Sequence, residues 1–406
     1  MDGWLAPFRV KTALALQPHY AVIRAVTWNL EESVRLGQAL REAGVVTIAV
    51  GQQVEHRAKA GFAGWDQAYD LAVAGEPEEE VPRLLARLRA GEPLKGLQEE
   101  QLGTATSLVW QPEALPRPDF SPGELEDYAF PFPTPGRAVQ RWGCLLTAWG
   151  CPRPCRHCTL IVRKSLGRKL RERPVAQVVD DVAALRDAGA EAIAFEDDSL
   201  LVNRRRFLEL ADTLCQRNLT LPWMANARPD ELDDERVAAA RASGASLIKL
   251  GIDSGSPRMI EAISKAADGE AWVADTEAGS EALRRAGIAS VAMFTLGLPD
   301  ETEADAQASL ALARRLRSEY LQVHLYRPYP DTGVWDDLPD GSRIRDAEYH
   351  YLIASGSTNC SGISAARLDH LVRHLASFWR HYLSPHGGGR LLARLPSVFS
   401  YLTRQQ

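Results

Sequence analysis

The chain has 406 residues, more than one ordinary core absorbs, so two domains and a tail are expected. With 45% hydrophobic and 25% charged residues it is composed like a globular protein rather than a disordered or fibrous one, and its net charge of −6 argues against a nucleic-acid-binding chain. No run approaches the roughly 18 consecutive apolar residues of a membrane helix, and Met1 to Tyr20 has no cleavage-site pattern, so the expected location is the cytoplasm, where thiols stay reduced.

In chain order, Tyr20 to Val26 is β-rich, and Glu31 to Ala43 has helical spacing that stops at Gly44. Val45 to Val50 reads as a buried strand ending at Gly51. Tyr69 to Ala74 is a further short apolar run, and Val81 to Leu88 reads as a helix. Strands alternating with helices imply a parallel sheet over residues 1–110. From Gln111 to Pro135 prolines recur so densely that neither a helix nor a central strand fits, which makes 111–137 a linker.

From Ala138 the alternation is regular. Strand-like runs fall near 141–147, 191–196, 220–226, 246–252, 289–296 and 320–326. Helices lie between them, one over Pro174 to Ala188 with Gly189 past its end, another over Asn203 to Arg217 with Asn203 as N-cap. Six βα units in series predict an incomplete (β/α)6 barrel of the TIM type over 138–335. Residues 336–406 form a tail with helical patches and a triple glycine at Gly387 to Gly389.

Three of the six cysteines crowd into Thr147-Ala-Trp-Gly-Cys151-Pro-Arg-Pro-Cys155-Arg-His-Cys158, just after the first barrel strand. In such barrels, chemistry sits on the loops at the C-terminal ends of the strands. Under reducing conditions a Cys triplet reads as metal ligation before disulfide. Three thiolates fill three corners of a [4Fe–4S] cube and leave one iron open to an exogenous chelator such as the amine and carboxylate of S-adenosylmethionine (SAM). Two other readings stay open. One is a zinc site with His157 or a distant cysteine as fourth ligand. The other is an electron-carrier cluster with Cys144 or Cys215 as the spare ligand.

The CxxxCxxC triplet resembles the signature of the radical SAM superfamily, and the resemblance continues through the barrel. Phe195-Glu196-Asp197-Asp198-Ser199 resembles its acidic second-strand end, and Asn226-Ala-Arg228-Pro-Asp230 its third-strand end. Leu250-Gly251-Ile252-Asp253-Ser254-Gly255-Ser256 resembles its G-x-E-S-G-S run, with Asp253 in place of Glu and Lys265 closing the segment. Thr295-Leu-Gly297-Leu-Pro299-Asp-Glu301-Thr302 resembles G-L-P-x-E-T, and Tyr326-Arg-Pro-Tyr329-Pro330-Asp331-Thr332 resembles P-Y-P-G-T. The resemblance implies a cluster on Cys151, Cys155 and Cys158, and SAM contacts from His157, Asp197, Asp198, Asn226, Asp253, Ser254 and Gly297. The competing reading of Asp198 and Ser254 is that they cap the helices that follow.

Residues 1–110 resemble the Rossmann- or flavodoxin-like cobalamin-binding domain that precedes many radical SAM barrels, shortened ahead of Trp28. That resemblance implies a corrin face of Trp28, Asn29, Gly51, Gly75 and Glu76; the alternative is a vestigial domain that only packs on the barrel. The implied activity is a cobalamin-dependent C-methyltransferase acting on an unactivated carbon of a small molecule or peptide, with an electron donor such as flavodoxin or ferredoxin. The alternatives are a radical SAM epimerase, dehydrogenase or cyclase without cobalamin, and a non-catalytic Fe–S or zinc protein. Nucleic-acid and membrane partners are not expected. Cys360, as a hydrogen-atom or proton donor, and Tyr326 are the remaining catalytic candidates. Cys144 and Cys215 read as buried fillers, the basic run Arg163 to Arg173 as a solvated loop, and Cys360 as a surface cysteine.

Overall fold

The structure, a computed structural model, describes residues 10–25, 30–51, 54, 68–101, 109–118, 120, 141–158, 169–326, 328, 332–337, 360–364, 366–368 and 370–371. Two compact units divide the chain. The first comprises Met1–Pro116, Ala148–Glu172 and Pro328–Thr358, and the second Arg117–Thr147, Arg173–Arg327 and Asn359–Gln406.

In the first unit, strands β1 (Tyr20–Arg24), β2 (Val46–Val50) and β3 (Leu71–Val73) form a parallel sheet in that order. Alternation along β2 sends Ala49 to a core with Ile23, Leu36, Leu40, Val45 and Tyr69, and sends Ile48 and Val50 to a second core with Leu71, Val73, Leu84 and Leu97. A strand with apolar neighbours on both faces is the mark of a covered parallel sheet. Helices α1 (Val10–Ala15), α2 (Leu30–Glu42), α3 (Pro77–Arg89) and α4 (Leu94–Gln101) surround it. Helix α3 starts four residues ahead of the expected Val81. Pro77 is pre-set for its first position, and Glu78, Glu79 and Glu80 suit the positive end of the helix dipole. Asp70, ahead of β3, accepts from the Thr47 N–H at 2.8 Å and pairs with Arg41 at 2.8 Å, locking β2 to the turn.

In the second unit, β4 (Trp142–Leu145), β7 (Ala192–Phe195), β8 (Trp223–Ala227), β9 (Ala245–Asp253), β10 (Ala289–Leu296) and β11 (Tyr320–Leu325) form one all-parallel sheet in chain order, with β4 and β11 at its two ends. All six strands fall where the hydrophobic runs predict them. One face carries the main core, in which strand residues such as Phe195, Ala225, Ile248 and Phe294 pack on Val178, Leu210, Leu283 and Leu310 of the helices. The other face has a core made of strand residues alone: Trp142, Ala192, Ala194, Met224, Leu247, Ala289, Val291 and Tyr320. Side chains of one sheet face meet each other this way when the sheet curls on itself, as in the layered interior of a barrel.

The helices are α5 (Val175–Asp187), α6 (Arg204–Gln216), α7 (Asp234–Ala242), α8 (Pro257–Ala262), α9 (Gly269–Ala286), α10 (Glu303–Leu316) and α11 (Gly333–Asp337), the last belonging to the first unit. Asn203 caps α6 as its sequence predicts, accepting from the Arg206 N–H, and Gly287 closes α9 in the left-handed conformation at φ 68°. In the linker, residues 112–114 form one 3₁₀ turn; its later part lies outside the described residues.

Cys144 corrects one expectation: it is exposed rather than buried. It shares the helix-free face with Trp142, but β4 is an end strand, so among the described residues only β7 pairs beside it. Phe207 of α6 is fully buried and meets Trp223 edge-on at 6.3 Å, with Phe195 on the same indole at 5.7 Å. Truncating Phe207→Ala is expected to lower unfolding stability by about 3–5 kcal/mol, read from the midpoint and slope of a urea titration.

Candidate active site

The cysteine loop lies in the first unit. Strand β5 (Ala148–Trp149) pairs antiparallel with β6 (Arg171–Glu172), and the two bracket the loop. Gly150 sits at φ 86°, and a Cβ there would lie 2.6 Å from the Lys169 carbonyl oxygen, so only glycine makes the turn into Cys151. Cys151 and Cys155 are buried, Cys158 is half-buried, and none is in a disulfide. Arg156, between the second and third cysteines, accepts the Gly333 N–H at 3.1 Å and pairs with Asp337, so α11 pins the middle of the loop. Among the described residues no three His, Cys, Asp or Glu side chains gather as a single metal ion requires. Thiolates on the corners of a cube stand farther apart, and three cysteines on one loop suit three such corners.

Glu76 follows β3 and Gly75. Its two carboxylate oxygens take both ends of the Arg171 guanidinium at 2.6 Å each, and Oε2 also accepts the Val109 N–H at 2.6 Å. Both partners are buried, a bidentate pair that ties the end of β3 to β6. Its oxygens are engaged inside the protein, on Arg171 and Val109. Gly51 (φ 100°) and Gly75 (φ 89°) end β2 and β3 in the left-handed region, and a Cβ on Gly51 would meet the Ala25 carbonyl at 2.8 Å. These two glycines lie at the C-terminal edge of a parallel sheet, the usual ligand crevice of open α/β sheets. Trp28 and Asn29 lie outside the described residues.

The remaining candidates lie in the second unit. Asp197 is 2% exposed, and its carboxylate accepts the Thr147 N–H and hydroxyl at 2.6 Å each. Ser254 is fully buried; its hydroxyl accepts the Ser256 N–H at 3.1 Å and lies 3.2 Å from the Ser309 hydroxyl. Both side chains brace the scaffold in this structure. Asp198 is exposed, Asn226 donates to the Asp197 carbonyl at 2.9 Å, and His157, in the first unit, is half-buried. Gly297, at φ 83°, donates its N–H to Glu301 at 2.5 Å.

Asp253 ends β9 in the left-handed region at φ 66°, a conformation that costs an Asp side chain roughly 1 kcal/mol or more. Lys265 pays that strain back by ion-pairing with its Oδ2 at 2.6 Å, while the Thr295 hydroxyl donates to Oδ1 at 3.3 Å. Lys265 and Arg228 both stand over the Trp272 ring, at 5.4 and 4.6 Å, and Arg228 donates to the Lys265 carbonyl at 2.8 Å. Burial lowers the pKa of His324 on β11, with the Asp253 charge opposing, so the imidazole is neutral at physiological pH. Tyr326 is buried just past β11, its N–H donating to Leu296 at 2.7 Å. Cys360 is half-buried rather than on the surface, and burial pushes its thiol up to about 11, so it carries its proton.

Sequence reasoning passed over Glu301. It is fully buried, its Oε2 takes the Gly297 N–H, and burial pushes it up to about 7 against the pull of the Gly297 and Leu298 N–H groups.

Against this geometry, residues 147–313 match the radical SAM superfamily model. An "uncharacterized methyltransferase" of Pyrococcus horikoshii is 25% identical over 66% of this chain and 57% of that protein. The bacteriochlorophyllide d C-12(1)-methyltransferase of Chlorobaculum tepidum is 27% identical over 51% of this chain and 46% of the relative. Among solved structures, the radical SAM methyltransferase TsrM of Kitasatospora setae, with cobalamin and a [4Fe–4S] cluster bound, superposes with a TM-score of 0.62 at 17% identity, covering 81% of this chain and 65% of that one. The cobalamin-dependent radical SAM enzyme OxsB gives 0.54 at 14% identity over 91% and 54%. The chain thus spans about half to two thirds of these relatives. The fold is that of a radical SAM domain preceded by an α/β domain.

A carboxyl whose folded pKa lies above its unfolded value stabilises most at low pH, and this contribution is lost as pH rises from the unfolded value toward the folded one. For Glu301 that window runs from 4.5 to about 7. Glu301→Gln cannot ionise, so the decline in urea midpoint between about pH 5 and about pH 7.5 is expected to flatten in the variant.

Proposed function

We propose that this chain, whose residues 147–313 belong to the radical SAM superfamily, is a cobalamin-dependent radical SAM C-methyltransferase acting on an unactivated carbon of a small molecule or peptide. The observation that carries the reading is a loop of three thiols outside any disulfide, Cys151, Cys155 and Cys158, two of them buried, opening immediately after β5. Three ligands leave one iron of a four-iron cluster without a protein thiolate. The methyltransferase relatives and the cobalamin-bound fold neighbours support the rest.

When bound, the cluster and SAM would supply a carbon radical, and cobalamin a transferable methyl group. The chain's own residues do the holding and placing. Cys151, Cys155 and Cys158 would hold the cluster, with Gly150 and Arg156 setting the loop. Asp198, Asn226, Asp253, His157 and the Gly297 backbone would contact SAM. The strand-end cradle of Gly51 and Gly75 would lie under the corrin, beside Trp28 and Asn29. Cys360 holds its proton and is fit to hand over hydrogen, while the lowered pKa of His324 suits it to accept a proton rather than to carry charge. Tyr326, just past β11, is the further candidate. The electron enters from a donor such as flavodoxin or ferredoxin, in the cytoplasm. Among the described residues no helix is long and apolar enough to cross a membrane.

The test is anaerobic reconstitution with iron, sulfide and hydroxocobalamin. The wild-type chain should show the broad iron–sulfur absorption, keep a corrin band after desalting, and shift its reduced-cluster EPR signal on adding SAM. Replacing Cys151, Cys155 and Cys158 by alanine should abolish the iron–sulfur signal and leave the corrin band. A cluster indifferent to SAM would overturn the reading; a SAM-responsive cluster with no retained corrin would leave a radical SAM enzyme without cobalamin.

A further inference from the structure

Strands β5 and β6 form a ladder of two residue pairs, Ala148 with Glu172 and Trp149 with Arg171, apart from both larger sheets. A two-stranded ribbon this short is at best marginally stable in water. Yet it brackets the cysteine loop, so a fastening outside the ladder must set where that loop stands.

The fastening is the turn from β3 into α3. Glu76, next to Gly75, is the N-cap residue of α3 and grips Arg171 of β6 with both carboxylate oxygens. Arg171 Nη1 also donates to the Val109 carbonyl at 2.5 Å, while the Val109 N–H binds Glu76, so three segments meet at one buried pair. In the first turn of α3, Glu78 Oε1 accepts from Trp149 Nε1 at 3.4 Å. The start of α3 therefore touches each strand of the bracket, and Trp149 stands two residues ahead of Cys151. All of these residues belong to the first unit. A buried ion pair adds little net stability over an apolar pair of similar volume, because desolvation offsets the attraction. What a bidentate pair adds is position: it tolerates neither a slide of β6 along α3 nor a rotation away from it.

We propose that Glu76 and Arg171 are positioning residues that couple the crevice at Gly51 and Gly75 to the cysteine loop. Gly75 ends β3 at the crevice edge, and Glu76 is its chain neighbour. An occupant that settles the Gly75 turn settles Glu76, and through Arg171 and the β5–β6 ladder it settles Cys151 and Cys155. By reciprocity, a cluster held on the loop favours the occupant of the crevice to the same degree. The choice of a corrin as that occupant rests on the functional reading above.

The test follows alkylation of the metal-free full chain by iodoacetamide under anaerobic conditions, with peptide mass spectrometry reporting each cysteine separately. Cyanocobalamin is the probe, because its cobalt is already ligated and does not take up a thiol; equilibrium dialysis measures its binding. In the wild type, saturating cyanocobalamin should slow modification of the buried Cys151 and Cys155 by about fivefold or more, with Cys215 of α6 unchanged. Two variants break the clamp: Glu76→Met/Arg171→Met puts an apolar pair in its place, and Arg171→Gln opens it from the loop side. In both, the loop thiols should react faster than in the wild type, and bound cyanocobalamin should no longer slow them. Cyanocobalamin that binds the wild type without slowing these thiols, or that slows them equally in the variants, would overturn the coupling. Loss of corrin binding in both variants would overturn it too, by placing the pair in the corrin site itself. A wild-type chain that binds no cyanocobalamin would overturn the cobalamin reading, and the coupling with it.

Discussion

Thr147 is the residue on which the second unit's architecture turns. Its N–H and hydroxyl both bind the buried carboxylate of Asp197. Its carbonyl accepts the Arg173 N–H at 3.0 Å and the Arg206 guanidinium at 3.2 Å. Arg206 is itself buried and also reaches the Thr147 hydroxyl and the Arg173 carbonyl. A carboxylate and a guanidinium removed from water are stable only when their hydrogen-bonding capacity is used, and here one threonine uses much of it. The network fixes the ends of β4 and β7 and the start of α5 to one another. It also fixes the point from which the chain departs for Cys151.

The same economy recurs wherever the strands end. Glu76 closes on Arg171, Asp253 on Lys265, Ser254 on Ser256 and Ser309, and Glu301 on Gly297. A parallel sheet gathers its strand ends on one edge, where backbone N–H groups and the turns into the helices need partners. Polar residues near such an edge therefore divide into those that build it from within and those that reach the surface. Asp197, Ser254 and Glu76 belong to the first kind. Asp198 and Cys144 are exposed and belong to the second.

The barrel interior is also tuned in protonation. Tyr320 forms part of the apolar floor, and burial pushes its phenol up to about 12. His324 is neutral and the Cys360 thiol is protonated for the same reason, loss of solvent around the charged form. Among the described residues, Glu196 and Lys249 add charge on the sheet's helix-free face, 4.0 Å from one another.

Much of this was legible in the sequence. The six barrel strands, the Asn203 cap and the cysteine triplet follow from hydrophobic period, capping chemistry and spacing, which are local properties of neighbouring residues. The kinship carried by Cys151 to Cys158 and by the strand-end motifs was equally local. The fate of individual polar side chains was not. Whether Asp197 faces a ligand or Thr147, whether Glu76 faces a corrin or Arg171, and whether Cys144 is covered depend on residues tens of positions away and on which strand lies at the sheet's end. One sequence motif can supply either a ligand or a brace. Only the folded chain, by bringing a distant donor within 3 Å of a carboxylate or failing to, decides which.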